Sequence, residues 1–372
     1  VLKPNYIEYR LGSQSAYVRA DKLSEIRRID VIIFDCDGVL IDISESYVKA
    51  VAKTTRVLVE AFTGTTLPES LFDGALNSAY KQRGGFNNDW TLAYALVMRI
   101  LAESPEAGSI NRLALESLNC PDIHGRYKFI KENGVDAKID SAGLHGKLMD
   151  FSRMLDETGG ESVDAKLLPE LEGVKRALSH PGDVGESMVS TMFEEFFLGA
   201  TLFQETFQTP AKFNESPVGY VENEKVVIAD KALDWLEAII GGPRFGIASG
   251  SLANTARHVL GGILSRFHPA AQVWHDDVAA AERETGGSLH KPSPYPLLRA
   301  SEPFRPYDRV LYVGDTMADK LMAENAGEGF LFAGVFGCVA AKEETKSALL
   351  EAGSAMVLTS VNQLPTVLRL LK

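Results

Sequence analysis

The 372-residue sequence predicts an α/β fold: an open, largely parallel sheet whose chain is interrupted by a long helical insertion. Two observations carry this expectation. Short, β-rich apolar runs recur near both ends of the chain, each leaving into Gly, Asp or Ser and separated by helix-like stretches. Alternation of that kind implies parallel strands joined by right-handed crossovers. The middle of the chain, by contrast, carries almost no strand signal and strong helical periodicity.

The strand candidates are "VIIF" at 31–34, "RFGIAS" at 244–249, "RVLYVG" at 309–314, "FLFAGVF" at 330–336 and "AMVLTS" at 355–360. Runs this short and this apolar are expected where both sheet faces are covered. "SLANTARHVLGGIL" and "TMADKLMAENAG" read as helices between them, the second ending on Gly327 as a C-cap residue. In the middle, "SYVKAVAKTTRVLVEAFTG", "DWTLAYALVMRILAE" and "ESMVSTMFEEFFLGATLFQETF" show the clearest 3.6-residue pattern. The expected organisation is therefore a core from residues 1–42 and 231–372, with a helical domain over 43–230. Residues 156–187, rich in Gly, Glu and Asp around one short apolar helix, are expected to hold an exposed loop.

Composition narrows the function classes. A hydrophobic content of 45% with 24% charged residues is that of a soluble globular protein. The net charge is −12 and the basic residues are scattered, so no stripe exists for a nucleic-acid backbone. Cys36, Cys120 and Cys338 are odd in number and widely spaced, which fits a reducing cytoplasm and gives no disulfide framework or zinc spacing. No apolar stretch approaches the roughly 18 residues that would span a bilayer, so no membrane partner is expected. The first 30 residues mix charges throughout and are not expected to be a secretory signal.

Four polar clusters sit where the strands end, the end at which open α/β sheets bind ligands. In "VIIFDCDGVLID", Asp35 and Asp37 project to the same side of an extended segment and Gly38 permits a tight turn. Alone, the pair is equally a polar turn after a buried strand. "VLYVGDTMADKLM" adds Asp315 and Asp319, four apart and so on one helix face if a helix begins near Thr316. Taken singly, Asp315 reads as an N-cap and Asp319 as a solvated helix residue. Two acid pairs at two strand exits instead suit Mg²⁺, a hard cation bound through a few carboxylates and substrate phosphate. "GIASGSLANT" ends a strand in Ser249 and Gly250, a hydroxyl and backbone N–H groups suited to phosphate oxygens, or simply a helix cap. Lys291 in "SLHKPSPYPLL" precedes a proline and stands in an extended or turning segment, or is simply a surface lysine.

As an ordered set, "DCDGVLID", "IASGS", "HKPSPYP" and "VGDTMAD" resemble the haloacid dehalogenase superfamily in its phosphatase-like branch. The match covers about 42 residues at the start and most of 231–340. The resemblance implies a Rossmann-like core with a helical cap inserted after the first motif. It also implies that Asp35 is a nucleophile forming an aspartyl-phosphate and Asp37 the general acid and base. Ser249, Gly250 and Lys291 would bind the phosphoryl group, Lys291 also steadying the nucleophile. Mg²⁺ would be held by Asp35, Asp37 (through its backbone carbonyl) and Asp315, with Asp319 assisting directly, through water or through Lys291. Asp37 separates this pattern from the metal-free dehalogenases, and the Gly38-Val39-Leu40 run separates it from the P-type ATPases.

The expected activity is a Mg²⁺-dependent phosphatase acting on a small phosphorylated metabolite. A phosphomutase shares every core residue, and a non-catalytic phospho-ligand-binding protein would keep the fold. In the cap, which is larger than is usual for this branch, "KQRGGFNNDWTLAYAL" stands out. Arg83, Asn87, Asn88 and Asp89 are candidate substrate-binding residues, and Gly84-Gly85 would allow a specificity loop. The competing reading is a capped helix start with Trp90 packed as an anchor.

Overall fold

The computed structural model describes residues 5–86 and 88–372. Its strands are β1 (Tyr6–Leu11), β2 (Gln14–Arg19), β3 (Ile29–Phe34), β4 (Ile41–Asp42), β5 (Lys225–Val226), β6 (Phe245–Ala248), β7 (Gln272–Val273), β8 (Arg309–Gly314), β9 (Phe330–Val335) and β10 (Met356–Leu358). Eight of them form one sheet in the order β1-β2-β10-β9-β8-β3-β6-β7, and β4 pairs with β5 in a separate ribbon. From β10 to β7 every pairing is parallel, while β1–β2 and β2–β10 are antiparallel. The fold class is α/β, as the strand and helix alternation predicts.

The apolar runs are continuous because both sheet faces are covered. Ile32 and Phe34 of β3, with Leu311 and Val313 of β8, join one core beneath the helices Asp230–Ile240 and Leu364–Leu371. Their neighbours Val31, Ile33, Val310 and Tyr312 point the other way, into a core with Leu297 and Ala300 of helix Tyr295–Ser301 and Met322 of helix Met317–Asn325. Each large side chain buried this completely contributes about 1.5–3 kcal/mol, so β3 is anchored from both sides.

The chain divides into two compact units, one from the chain up to Ser44 with Glu224–Lys372, the other Glu45–Asn223. Within the second, the described residues form helices and no named strand. Helix Asp89–Ala102 is its centre, with Leu92 to Met98, Ile100 and Leu101 all fully buried, the all-round apolarity of a helix enclosed by others. Residues 188–207 contain a kink at Gly199, whose φ of 74° leaves the helical region.

Two features depart from the sequence reading. β1 and β2 form a hairpin that extends the sheet at the β10 edge. Their sequence lacks an apolar run because β1 is a half-exposed edge strand, and only Ala16 and Val18 of β2 are fully buried. Residues 156–187 hold two helices, and the exposed loop is confined to short stretches such as 181–186. The helices are Gly160–Leu167 and Glu172–Leu178, which bury Val163, Val174, Ala177 and Leu178. The apolar spacing of 163, 167, 171, 174 and 178 is helical, and intervening Gly, Glu and Asp obscure it.

Burial raises two adjacent acids of the helical unit, Glu194 and Glu195. Glu194 is buried, its Oε1 accepts from Trp90 Nε1 at 2.9 Å, and its Oε2 has no hydrogen-bond partner among the described residues. Burial pushes its carboxyl from an ordinary 4.5 up to about 7, Trp90 opposing and Asp89 reinforcing the shift. The adjacent Glu195 instead accepts from the backbone N–H groups of Lys212, Phe213 and Asn214. Folded Glu194 thus keeps its proton between pH 4.5 and 7 while the unfolded chain gives it up, and stability falls as pH rises through that window. Glu194→Gln is expected to match the wild type near pH 4.5 and to exceed it above pH 7 by up to about 3 kcal/mol. Urea midpoints of both proteins at pH 4.5 and 8 measure this, and equal midpoints at pH 8 would refute it.

Candidate active site

Strand register builds the site. Phe34 pairs with Val313 on one side and Ile247 on the other, and Asp35 N–H donates to Val313 O at 2.8 Å. Asp35, Ser249 and Asp315 therefore leave three neighbouring strands at one edge of the sheet. Asp37 follows two residues after Asp35 and bridges to Ile41, closing a tight turn. Gly38 belongs to that turn with φ of 74°, and a Cβ there would lie 2.2 Å from Asp315 Oδ2. Only glycine lets the first loop approach Asp315 this closely.

Lys291 joins the clusters. Its ammonium lies 2.9 Å from Asp35 Oδ1 and 2.7 Å from Asp319 Oδ1, with its side chain 16% exposed. Asp35 Oδ1 also accepts from Cys36 N–H at 2.8 Å, and Oδ2 makes no hydrogen bond among the described residues.

Asp319 is fully engaged. Its Oδ1 faces Lys291 and the Tyr312 hydroxyl at 3.0 Å, and its Oδ2 faces the Thr316 hydroxyl at 2.6 Å, Thr316 N–H at 3.0 Å and Asp315 N–H at 3.3 Å. It forms a reciprocal capping box with Thr316 at the start of helix Met317–Asn325. Thr316, and not Asp315, is the N-cap. Asp315 is thereby left with a carboxylate that accepts no hydrogen bond among the described residues.

Electrostatics follow from this unequal sharing. Burial pushes Asp35 up to about 7 against the pull of Lys291, with Asp319 and Asp37 adding to the rise. Asp315 is raised well above the carboxylate range by burial, then by Asp319 and Asp35. Burial opposes ionisation of Asp319 too, but Lys291 and the Thr316 donors outweigh it and hold the carboxyl low. Burial likewise opposes the Lys291 ammonium, and Asp319 and Asp35 overcome it. Oxygens of Asp35, Asp315 and Asp319 lie within 4.8 Å of one another. Three acids, Asp35 and Asp319 buried and Asp315 half-buried, against one ammonium leave an excess of negative charge, and hard oxygen ligands so gathered could hold a divalent cation.

Ser249 is buried at the exit of β6, its hydroxyl 2.9 Å from that of Ser251 and accepting from Ser251 N–H at 3.2 Å. It does not cap helix Ala253–Leu260, whose N-cap is Leu252 and whose first N–H is taken by Asp276 Oδ2 at 3.0 Å. Gly250 is exposed, with open space where a Cβ would lie.

The candidate substrate-binding residues stand in the helical unit. Asn87 lies outside the described residues. Asn88 Oδ1 accepts from Trp90 N–H at 2.8 Å and so caps helix Asp89–Ala102, while Asp89 pairs with Lys81 at 3.0 Å. Arg83 is half-buried, its Nε without a hydrogen-bond partner among the described residues. A Cβ on Gly85 would lie 2.3 Å from Gly159 N, so the glycine allows two backbone segments to touch.

Sequence reasoning missed Tyr312 and Thr316. Tyr312 reads as one more core residue of an apolar strand, yet its buried hydroxyl bridges Ala248 O and Asp319 Oδ1, each at 3.0 Å. Thr316 was findable, because T-x-x-D before a helix is a capping-box signature.

No family model matches the chain, and no curated protein sequence matches it. Among solved structures, the chain is similar to an X-ray structure from the Northeast Structural Genomics Consortium, with 18% identity and a TM-score of 0.67 over 92% of this chain and 98% of that one. That likeness is one of fold. Weaker matches include a protein from Bacteroides fragilis described as a haloacid dehalogenase-like hydrolase, with 13% identity and a TM-score of 0.38 over 90% and 99% of the two chains. A β-phosphoglucomutase described from Bacteroides vulgatus matches with 14% identity and a TM-score of 0.36 over 94% and 95%.

The charge excess has a measurable consequence. Asp315→Asn removes the acid whose ionisation the site resists most, so in metal-free buffer with chelator it should raise the stability of the core by on the order of 1 kcal/mol. Urea midpoints of the two proteins at pH 7.5 test this, and a lower midpoint for the variant would refute the charge imbalance.

Proposed function

We propose that this chain is a phosphatase of the haloacid dehalogenase superfamily that uses Mg²⁺ to hydrolyse a small phosphorylated metabolite through an aspartyl-phosphate on Asp35. The observation that carries the reading is the division of labour on Asp35. Lys291 and the Cys36 amide fix Oδ1, while Oδ2 is left without a partner to act as nucleophile.

In the first step Asp35 Oδ2 attacks phosphorus, and the ester oxygen leaves with a proton supplied by Asp37. In the second step Asp37 takes a proton from water as the water oxygen attacks the same phosphorus, which releases inorganic phosphate and restores Asp35. Splitting one displacement into two is what a covalent intermediate accomplishes. Lys291 favours the ionised form of Asp35 against its burial and meets a phosphoryl oxygen, and Ser249 with the Gly250 N–H takes up others. Asp35, Asp315 and the backbone carbonyl of Asp37 would hold Mg²⁺, with Asp319 contributing its charge through Lys291. When bound, the ion supplies the positive charge that lets an anionic nucleophile approach a phosphate dianion.

The rest of the reading concerns the substrate and its setting. Of the described cap candidates, Asn88 and Asp89 are engaged within their own unit, and Arg83 is the one we propose for substrate recognition. No helix among the described residues is long and apolar enough to cross a membrane. Together with three free cysteines, this supports a cytoplasmic setting.

The test is phosphate release from a panel of phosphorylated metabolites and an aryl phosphate, with Mg²⁺ and with chelator. Release should require Mg²⁺ and fall at least about 10³-fold in Asp35→Asn. Isomerised sugar phosphate without net phosphate release would make the chain a mutase instead. Binding of phosphorylated ligand with no turnover would make it a binding protein.

A further inference from the structure

Lys291 stands on a loop, residues 286–294, between helix His275–Thr285 and helix Tyr295–Ser301. A lysine has a flexible four-carbon stem, so its ammonium is precise only if the backbone beneath it is fixed. Two attachments fix it. Before the lysine, Glu282 Oε1 accepts from Leu289 N–H at 2.5 Å and from His290 N–H at 3.2 Å, and Oε2 lies 3.3 Å from His290 Nε2. The His290 ring stacks on that of His275, centroids 4.8 Å apart and planes at 22°. After the lysine, Asn325 Nδ2 donates to Pro292 O at 2.9 Å, from the helix that carries Asp319.

His275 and Glu282 are seven residues apart, two turns, and so share one helix face. Glu282 also occupies the last turn of its helix, where a negative charge is disfavoured by the helix dipole. The loop N–H groups offset that cost, and with His290 they hold the Glu282 carboxyl below its ordinary range. We propose that Glu282 is a positioning residue for Lys291. Through Leu289 and His290 it sets where the ammonium meets Asp35 and Asp319, with the His275 ring as the platform for His290. The inference deepens the phosphoryl-transfer reading and rests on it for its catalytic meaning.

Two measurements on the full chain test it. The first is the rate at which a water-soluble acetylating reagent labels Lys291, read by peptide mass spectrometry. Glu282→Ala should raise labelling of Lys291 several-fold over the wild type, and Glu282→Gln, which keeps an oxygen for the two loop amides, should restore most of the protection. The second is a double-mutant cycle on the affinity for inorganic phosphate with Mg²⁺. Glu282→Ala should weaken binding about tenfold in the wild type and add nothing once Lys291 is alanine. Unchanged labelling, or equal losses in both backgrounds, would overturn the proposal. Faster labelling in a protein whose wild type neither binds nor releases phosphate would leave the positioning of Lys291 standing and overturn the phosphatase reading.

Discussion

One ammonium holds the polar centre of this protein together. Lys291 meets Asp35, at the end of β3, and Asp319, in the first turn of the helix that follows β8. A buried ion pair of this kind is weak evidence for stability, because desolvating the charges offsets much of the attraction between them. Removing one partner is another matter, since it strands the others in a low-dielectric interior. The geometry of the site therefore depends on a lysine carried by a loop, and the loop depends on the two helices that grip it from either side.

The three acids gathered around Lys291 have different lives. Asp319 is saturated with donors and doubles as the capping partner of Thr316, so its charge is permanent and its place is structural. Among the described residues, Asp35 has one oxygen bound and one open, and Asp315 has none bound. Satisfied groups hold the frame while the unsatisfied ones leave ligand positions open, a pattern that functional sites often show.

Much of this was legible in the sequence because buried parallel strands advertise themselves. "VIIF" and "RVLYVG" are apolar on both faces, so their ends, and the acids there, can be read directly. The β1–β2 hairpin could not be read that way, because an edge strand with one wet face carries charges in its pattern. The helices after residue 159 were hidden by the glycines and acids between their apolar positions. Tyr312 was hidden for the opposite reason, as an aromatic among apolar neighbours whose hydroxyl matters only once the next strand is in place. Glu282 lies nine residues before Lys291 on another element, and no periodicity connects a helix residue to a loop it will later hold.

The β4–β5 ribbon, where Ile41 pairs with Val226 and Asp42 with Lys225, pins the exit and return of the chain side by side. It also sets an order of events during synthesis. β3 leaves the ribosome early, but the strands that flank it, β6 and β8, emerge only after the whole of Glu45–Asn223. The helical unit, built from near neighbours in sequence, can condense first, since local contacts form quickly and distant strand pairings slowly. Until then β3 is an apolar segment with neither flank covered, the kind of exposed strand that chaperones exist to shield. The strand that leads into Asp35 thus waits for both of its neighbours before it can settle.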